Sequence, residues 1–310
     1  MRVLFLFLDG VGLGDDDPLI NPLAGAAMPN MRELLGNKPL TGSSLPAGGR
    51  LDTSRATLLA LDTRLGVEGM PQSATGQSVL LTGTNIPARI GEHYGPKPNP
   101  EIALYLQNGN LFSRLIASGF RAGLLNAYPP TYFAAIQSGK RIYSAIPLMV
   151  THAGLPLLTK EDLAAGNALA VDFTAEGWHT HLGLTDIPIL TPLQAGRRLG
   201  MLAKSYDLAF FEYWLSDYAG HRQDMPGALA LLEIFDEMLG GLLENWVDSE
   251  GLILITSDHG NMEDLTTRRH TLNPVPGLII GDRVLRDNFA QGLFDLTGIT
   301  PAIWRLIAQE

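Results

Sequence analysis

Short, unbroken runs of Val, Ile, Leu and Phe recur along the chain, each bounded by Gly, Pro, Asp or Ser. Strands covered by helices on both faces read this way, because neither face alternates with solvent. Val3–Leu8, Arg121–Leu125, Leu208–Tyr213, Leu252–Thr256 and Leu278–Ile280 are the predicted strands, with Thr57–Leu61 a weaker sixth. Helical spacing fills the intervals at Asn30–Leu35, Leu111–Ala117, Pro192–Ala203, Met225–Trp246 and Pro301–Ala308. This alternation predicts an α/β fold, a three-layer α/β/α sandwich around a mostly parallel central sheet. In such sheets ligands collect beyond the carboxyl ends of the strands. From Pro130 to Pro188 the alternation blurs, and the polar, aromatic TAEGWHTHLG falls inside. Residues 131–188 are therefore expected to form a small inserted cap, and 1–130 with 189–310 the core domain. Two Gly/Pro-rich loops stand out, Gly36–Gly49 and Gly91–Pro100. The second, GEHYGPKPNP, is long enough to act as a lid or to serve as a plain surface connection.

Composition narrows the partners. The chain has 310 residues, of which 45% are hydrophobic and 17% charged, so little of it should be disordered. Acidic residues outnumber basic ones by 32 to 22, and no Lys/Arg cluster occurs. Nucleic acid and anionic membrane are excluded as expected partners. If the substrate is an anion, a bound metal is the obvious source of attraction. With no cysteine, disulfides, thiolate zinc sites and a cysteine nucleophile are all ruled out, and metal ligands must be His and carboxylate. The apolar run at Val3–Leu8 is too short for a signal peptide, and no run reaches the ~18 residues of a membrane span. A cytoplasmic location is expected.

Residues able to do chemistry sit just past the predicted strands. Val3–Leu8 leads into Asp9-Gly10, Leu208–Tyr213 into WLSDYAGH with Asp217 and His221, and Leu252–Thr256 into Asp258-His259-Gly260. RRHTLNPVPG then places His270 just before the next apolar run. Each alone has a plain explanation: Asp-Gly is a turn, DxxxH a helical pair, and a lone His a hydrogen-bonded structural residue. Together they gather Asp and His on one predicted edge, enough to hold two ions such as Zn²⁺ or Mn²⁺ across a phosphoryl transfer. PQSATGQSVLLTG, Pro71 to Gly83, opens with small hydroxyl residues before an apolar helical stretch. Backbone N–H groups at such a helix start favour an anion, and Ser73 or Thr75 could attack there, or simply cap the helix.

DHGNMED followed by HTLNPVP resembles the metal-binding end of cofactor-independent phosphoglycerate mutases, and the set is similar to the alkaline phosphatase superfamily, which includes phosphopentomutases. The order agrees from Asp9 in FLDGVG and Ser73 in SATGQ through DYAGH and SDHGN to His270, and FDLTGITPAIWRLI is similar to the family's last strand-to-helix passage. The likeness covers roughly residues 1–90 and 190–310. It implies an alkaline-phosphatase-like fold and two divalent ions, Mn²⁺ or Zn²⁺. Asp217, His221 and His270 would hold one ion; Asp9, Asp258, His259 and the nucleophile Ser73 would hold the other. The chain departs from the mutases at Gln77, where they carry His, and at Thr84, where they carry Arg. The 131–188 segment holds only Lys140, Arg141 and Lys160 as Lys/Arg residues. Thr75, Gln77, Arg89, His93 and Lys97 are candidates for the substrate side.

The function expected is two-metal phosphoryl transfer on a small phosphorylated substrate, as a phosphohydrolase acting through phosphoserine. Alternatives are an intramolecular phosphomutase, a hydrolase of phosphodiesters, phosphonates or sulfate esters, and a non-catalytic metal-binding scaffold.

Overall fold

A seven-stranded sheet runs through the computed structural model, which describes residues 1–309. In chain order the strands are β1 (Arg2–Leu8), β2 (Arg50–Asp52), β3 (Ala56–Leu61), β4 (Ala122–Leu124), β5 (Leu208–Tyr213), β6 (Gly251–Thr256) and β7 (Val275–Ile280). Their spatial order is β2-β3-β7-β6-β1-β5-β4. β6, β1, β5 and β4 are mutually parallel, whereas β7 runs antiparallel to both β6 and β3, and β2 antiparallel to β3. The sheet is thus mostly parallel, with a reversal on one side. The reversal has a local cause: residues 257–274 carry no helix, and without a crossover the chain returns beside β6 in the opposite sense.

Helices cover both faces, giving three layers. Along β1 the side chains alternate strictly. Val3, Phe5 and Phe7 enter one core with the helices Ser73–Thr82, Leu111–Ala117 and Ile299–Ala308, while Leu4, Leu6 and Leu8 enter the other with Pro192–Ala203 and Met225–Asn245. This double burial is why β1 reads as an unbroken apolar run rather than an alternating one. The helix Pro192–Ala203 begins where its sequence directs, with Pro192 in the first turn and a reciprocal capping box between Thr191 and Gln194.

The segment after Pro130 is helical, with Pro130–Gln137, Ala145–His152, Lys160–Ala165 and Glu176–Leu182. Its packing divides. Ile146, Met149 and Val150 join the core on the Phe5 face, whereas Leu163, Ala168, Ala170, Ala175, Trp178 and Ile187 form a separate small cluster with Ala127. Two isolated bridges, Asn126–Leu169 and Ala127–Leu158, tie this segment to the chain just beyond β4. Among the described residues no helix is long and apolar enough to cross a membrane.

Candidate active site

β6, β1 and β5 are adjacent and parallel, so their carboxyl ends deliver Asp258-His259, Asp9 and Asp217 to one place. β6 ends at Thr256, and the next three residues leave the strand before turning back. That break lets Asp258 and His259 face the same site, which successive residues of a regular strand cannot do. Ser257 pins the break: its hydroxyl accepts from the Val11 N–H and donates to the His259 carbonyl, both at 2.9 Å. Gly10 makes the close approach possible. It has φ +66°, and a β-carbon there would lie 2.5 Å from Asp217 Oδ1.

Asp217 and His221 lie one turn apart on the helix Leu215–Arg222, with His221 Nε2 3.3 Å from Asp217 Oδ2. Ser216 Oγ donates to the Asp9 carbonyl at 2.6 Å, locking this helix start to the end of β1. Ser73 is the first residue of the helix Ser73–Thr82, which no side chain caps. Its Oγ lies 3.0 Å from His259 Nε2. The same nitrogen is 3.6 Å from Asp9 Oδ1 and 3.5 Å from Asp258 Oδ2. Gly76, one turn along, permits the helix to press on the strand end, because a β-carbon there would sit 2.8 Å from the Asp258 backbone oxygen.

Two groups of potential ligand atoms converge within 4.8 Å: Asp9, Asp258 and His259, and Asp217, His259 and His270. The first is the set the resemblance implies around Ser73. In the second, His259 takes the place expected of His221, which meets the group through Asp217 and through the His270 ring, 5.2 Å away between centroids. His259 and His270 stack at 3.7 Å between ring centroids.

The residues fit divalent ions on three observations. Asp9 Oδ1 is buried without a hydrogen-bond partner. His270 Nδ1 lies 2.7 Å from the Pro71 carbonyl and His221 Nδ1 2.7 Å from the Arg268 carbonyl. A carbonyl can only accept, so in both rings Nδ1 carries the proton; in His270 this leaves Nε2 its lone pair, the outer-shell pattern of metal-binding imidazoles, whereas His221 Nε2 faces Asp217 Oδ2 as a donor. Third, burial pushes the acid of Asp258 up to about 7, reinforced by the charge of Asp217. Burial, with the charges of Asp258, Asp217 and Glu212, raises Asp9 well above the usual carboxylate range. Burial also lowers His259 and His270, favouring neutral rings. Asp217 alone is held down, to about 2, where the hydrogen bond from His221 and the nearby His259 outweigh its burial. A bound cation would relieve the crowded acids, and neutral imidazole is the ligating form.

Of the remaining sequence candidates, Gln77 and Lys97 border the same cavity as Asp9, Ser73 and Asp217. Gln77 Nε2 donates to Asp258 Oδ2 at 3.3 Å and Asp9 Oδ2 at 3.4 Å. Thr75 is buried away from the cavity: its hydroxyl donates to the Gln72 and Tyr94 carbonyls and accepts from the Tyr94 N–H, fastening the 91–99 loop to the helix start. Neither Arg89 nor His93 borders the cavity, and His93 Nε2 lies 3.2 Å from the Arg64 carbonyl.

Several residues at the site left little or no mark in the sequence pattern. Glu263 is buried and accepts from the Gly12 and Asn261 N–H groups, Thr271 Oγ1 and Asn273 Nδ2, joining the loops after β1 and β6. Asn261 Nδ2 donates to Asp217 Oδ1 at 2.7 Å. Glu212, Tyr128, Tyr132 and Arg141 border the cavity. Asn261 and Glu263 lie inside the DHGNMED motif, and Glu212 shows as a lone charge in the apolar run of β5, but neither pattern indicates what these side chains touch.

The three-layer fold gathers carboxylates, imidazoles and a buried serine at one strand edge, and part of the chain is similar to known metalloenzymes. Residues 197–308 match the family model described as the Metalloenzyme superfamily. A 2,3-bisphosphoglycerate-independent phosphoglycerate mutase from Desulforudis audaxviator is 34% identical over 110 residues, covering 34% of this chain and 21% of the relative. The match thus spans about a fifth of the relative's length. Among solved structures, a protein from Pyrococcus horikoshii aligns with TM-score 0.57 and 17% identity, covering 100% of this chain and 97% of that one. A magnesium-bound variant of the TAB5 alkaline phosphatase aligns with TM-score 0.53 and 13% identity, covering 99% and 97%. At such identities the structural likeness concerns the fold.

Proposed function

We propose that this chain is a metal-dependent phosphoryl-transfer enzyme, and specifically a phosphomonoester hydrolase that passes through a phosphoserine at Ser73. The observation that supports it is the position of Ser73 Oγ, at an uncapped helix start and 3.0 Å from His259 Nε2 in a cluster of buried carboxylates and imidazoles. In this reading Asp9, Asp258, His259 and Ser73 hold one ion, and Asp217, His221 and His270 the other, as Mn²⁺ or Zn²⁺. Bound there, the pair would acidify the Ser73 hydroxyl and offset charge on the transferring phosphoryl group.

Ser73 Oγ attacks phosphorus in line, and the bond from phosphorus to the ester oxygen breaks. The alcohol leaves towards the cavity. The helix start at Ser73 presents its positive dipole end to the phosphoryl oxygens. Gln77 steadies the two carboxylates it bridges, and water then attacks phosphorus so that the bond to Oγ breaks and phosphate departs. Residues 131–188 serve as a cap over this edge, contributing Tyr132, Arg141 and Trp178 to the cavity wall.

Replacing Ser73 by Ala tests the reading. Turnover of phosphomonoesters should be abolished while two equivalents of Mn²⁺ still bind; full activity in Ser73→Ala would remove the serine from the mechanism. Following the phosphate after trapping the phosphoenzyme separates the alternatives, because a hydrolase frees phosphate and a mutase returns an isomer.

A further inference from the structure

The cavity beside Ser73 is far larger than a three-carbon phosphate requires. It encloses about 960 Å³, which lies at the upper end for sites that hold a whole drug-sized molecule. Its walls are aromatic, with Tyr128, Tyr132, Trp178, Trp214 and Tyr218. Trp214 and Tyr218 are 45% and 55% exposed, unusual for such large rings unless something covers them. The cavity is not an anion grip either. Its three cations, Lys97, Arg141 and Arg222, are outnumbered by the six carboxylate residues of the lining.

One further carboxyl group is built into the wall with care. Glu212, on β5, is only 7% exposed. Its N–H donates to Asn126 Oδ1 and its carbonyl accepts from Asn126 Nδ2, both at 2.8 Å, so the backbone is clamped. Tyr128 Oη donates to Glu212 Oε1 at 2.8 Å. Among the described residues no Lys, Arg or His forms an ion pair with Glu212; the nearest cationic influence is Arg141, which lies 4.7 Å over the Tyr132 ring. A buried carboxyl group satisfied by one hydroxyl is costly unless a second donor reaches it, and the cavity is where such a donor can come from.

We infer that this cavity is the leaving-group site, and that it takes the phosphate ester of a ring-bearing alcohol whose own hydroxyl or amine donates a hydrogen bond to Glu212. The inference rests on the phosphoryl-transfer reading above and adds the substrate class. A phosphoglycerate would leave most of the volume empty and bring a second carboxylate towards Glu212.

The test, run at about pH 8.5 so that Glu212 is ionised, uses three alkyl phosphates with Mn²⁺-loaded protein: benzyl phosphate, its 4-hydroxymethyl analogue and glycerol phosphate. Both benzyl esters should exceed glycerol phosphate in kcat/KM, and the hydroxymethyl group should add about tenfold, the worth of a hydrogen bond to a charged group. In Glu212→Gln that added preference should collapse to about threefold or less, and in Trp214→Ala, at an exposed position, the benzyl esters should lose ground to glycerol phosphate through KM. A hydroxymethyl preference unchanged in Glu212→Gln, or glycerol phosphate turned over as well as the benzyl esters, overturns the inference. Binding of the free diol, 4-(hydroxymethyl)benzyl alcohol, followed by tryptophan fluorescence, separates the two readings. Saturable binding weakened by Glu212→Gln, with no ester hydrolysed, would refute phosphoryl transfer and keep the cavity assignment; absence of binding would refute the cavity assignment.

Discussion

Replacing Glu263 by Ala removes the acceptor shared by two loops that carry the site. Four donors lose their partner at once: the Gly12 and Asn261 N–H groups at 2.9 and 2.8 Å, Asn273 Nδ2 at 3.1 Å, and Thr271 Oγ1. Each buried donor left unsatisfied costs about 1–3 kcal/mol, and with some relaxation the low end of the range gives about 4 kcal/mol. At about 2.1 cal/mol/K per residue, a chain of 310 residues unfolds with an entropy near 0.65 kcal/mol/K, so Tm should fall by about 6 °C. Glu263→Gln should cost less, about 1–2 kcal/mol, because its amide can turn its NH₂ to the Thr271 hydroxyl, which can accept. The site should feel the same change: Gly12 follows Asp9 closely, and Asn261 holds Asp217, so Mn²⁺ affinity should drop about tenfold in the Ala variant. Differential scanning calorimetry of the metal-free proteins and isothermal titration with Mn²⁺ provide the readouts. If Ala proves no more destabilising than Gln, or both stay within about 1 °C of the parent, the clamp does not hold these loops.

Burial raises the Glu212 acid from 4.5 to about 7, so the unfolded chain releases this proton before the folded one does, and stability from this group should decline as pH rises from about 4.5 to about 7. Glu212→Gln should abolish that decline, on the order of 3 kcal/mol, seen as a flatter Tm against pH for the metal-free protein; parallel curves would contradict it. Gly76→Ala should force the helix start off the Asp258 backbone at a cost of about 2 kcal/mol, read as a lower urea midpoint, whereas an unchanged midpoint would mean that the contact yields freely. Mn²⁺ at a hundred times its dissociation constant should stabilise by about 2.7 kcal/mol per site and chelation should reverse it, so a Tm insensitive to both would count against metal binding by the fold.

What the sequence by itself determined was everything that depends on local pattern. The strands Leu208–Tyr213 and Val3–Leu8 and the helices Leu111–Ala117 and Pro192–Ala203 were legible because burial on both faces leaves unbroken apolar runs and amphipathic helices leave a period. Asp9, Asp217 and Asp258-His259 were legible because each comes just after such a run. The helices after Pro130 were not, since they are short and two different cores claim their apolar residues. Tertiary structure alone decided that β7 turns back antiparallel and that β6, β1 and β5 stand side by side, because strand order is a matter of packing across the chain rather than of neighbouring residues. It also decided that His259 reaches both ligand groups, and that Glu212 meets Tyr128 across 84 residues. A carboxyl group's partners depend on which distant elements fold against it, and no local periodicity records that.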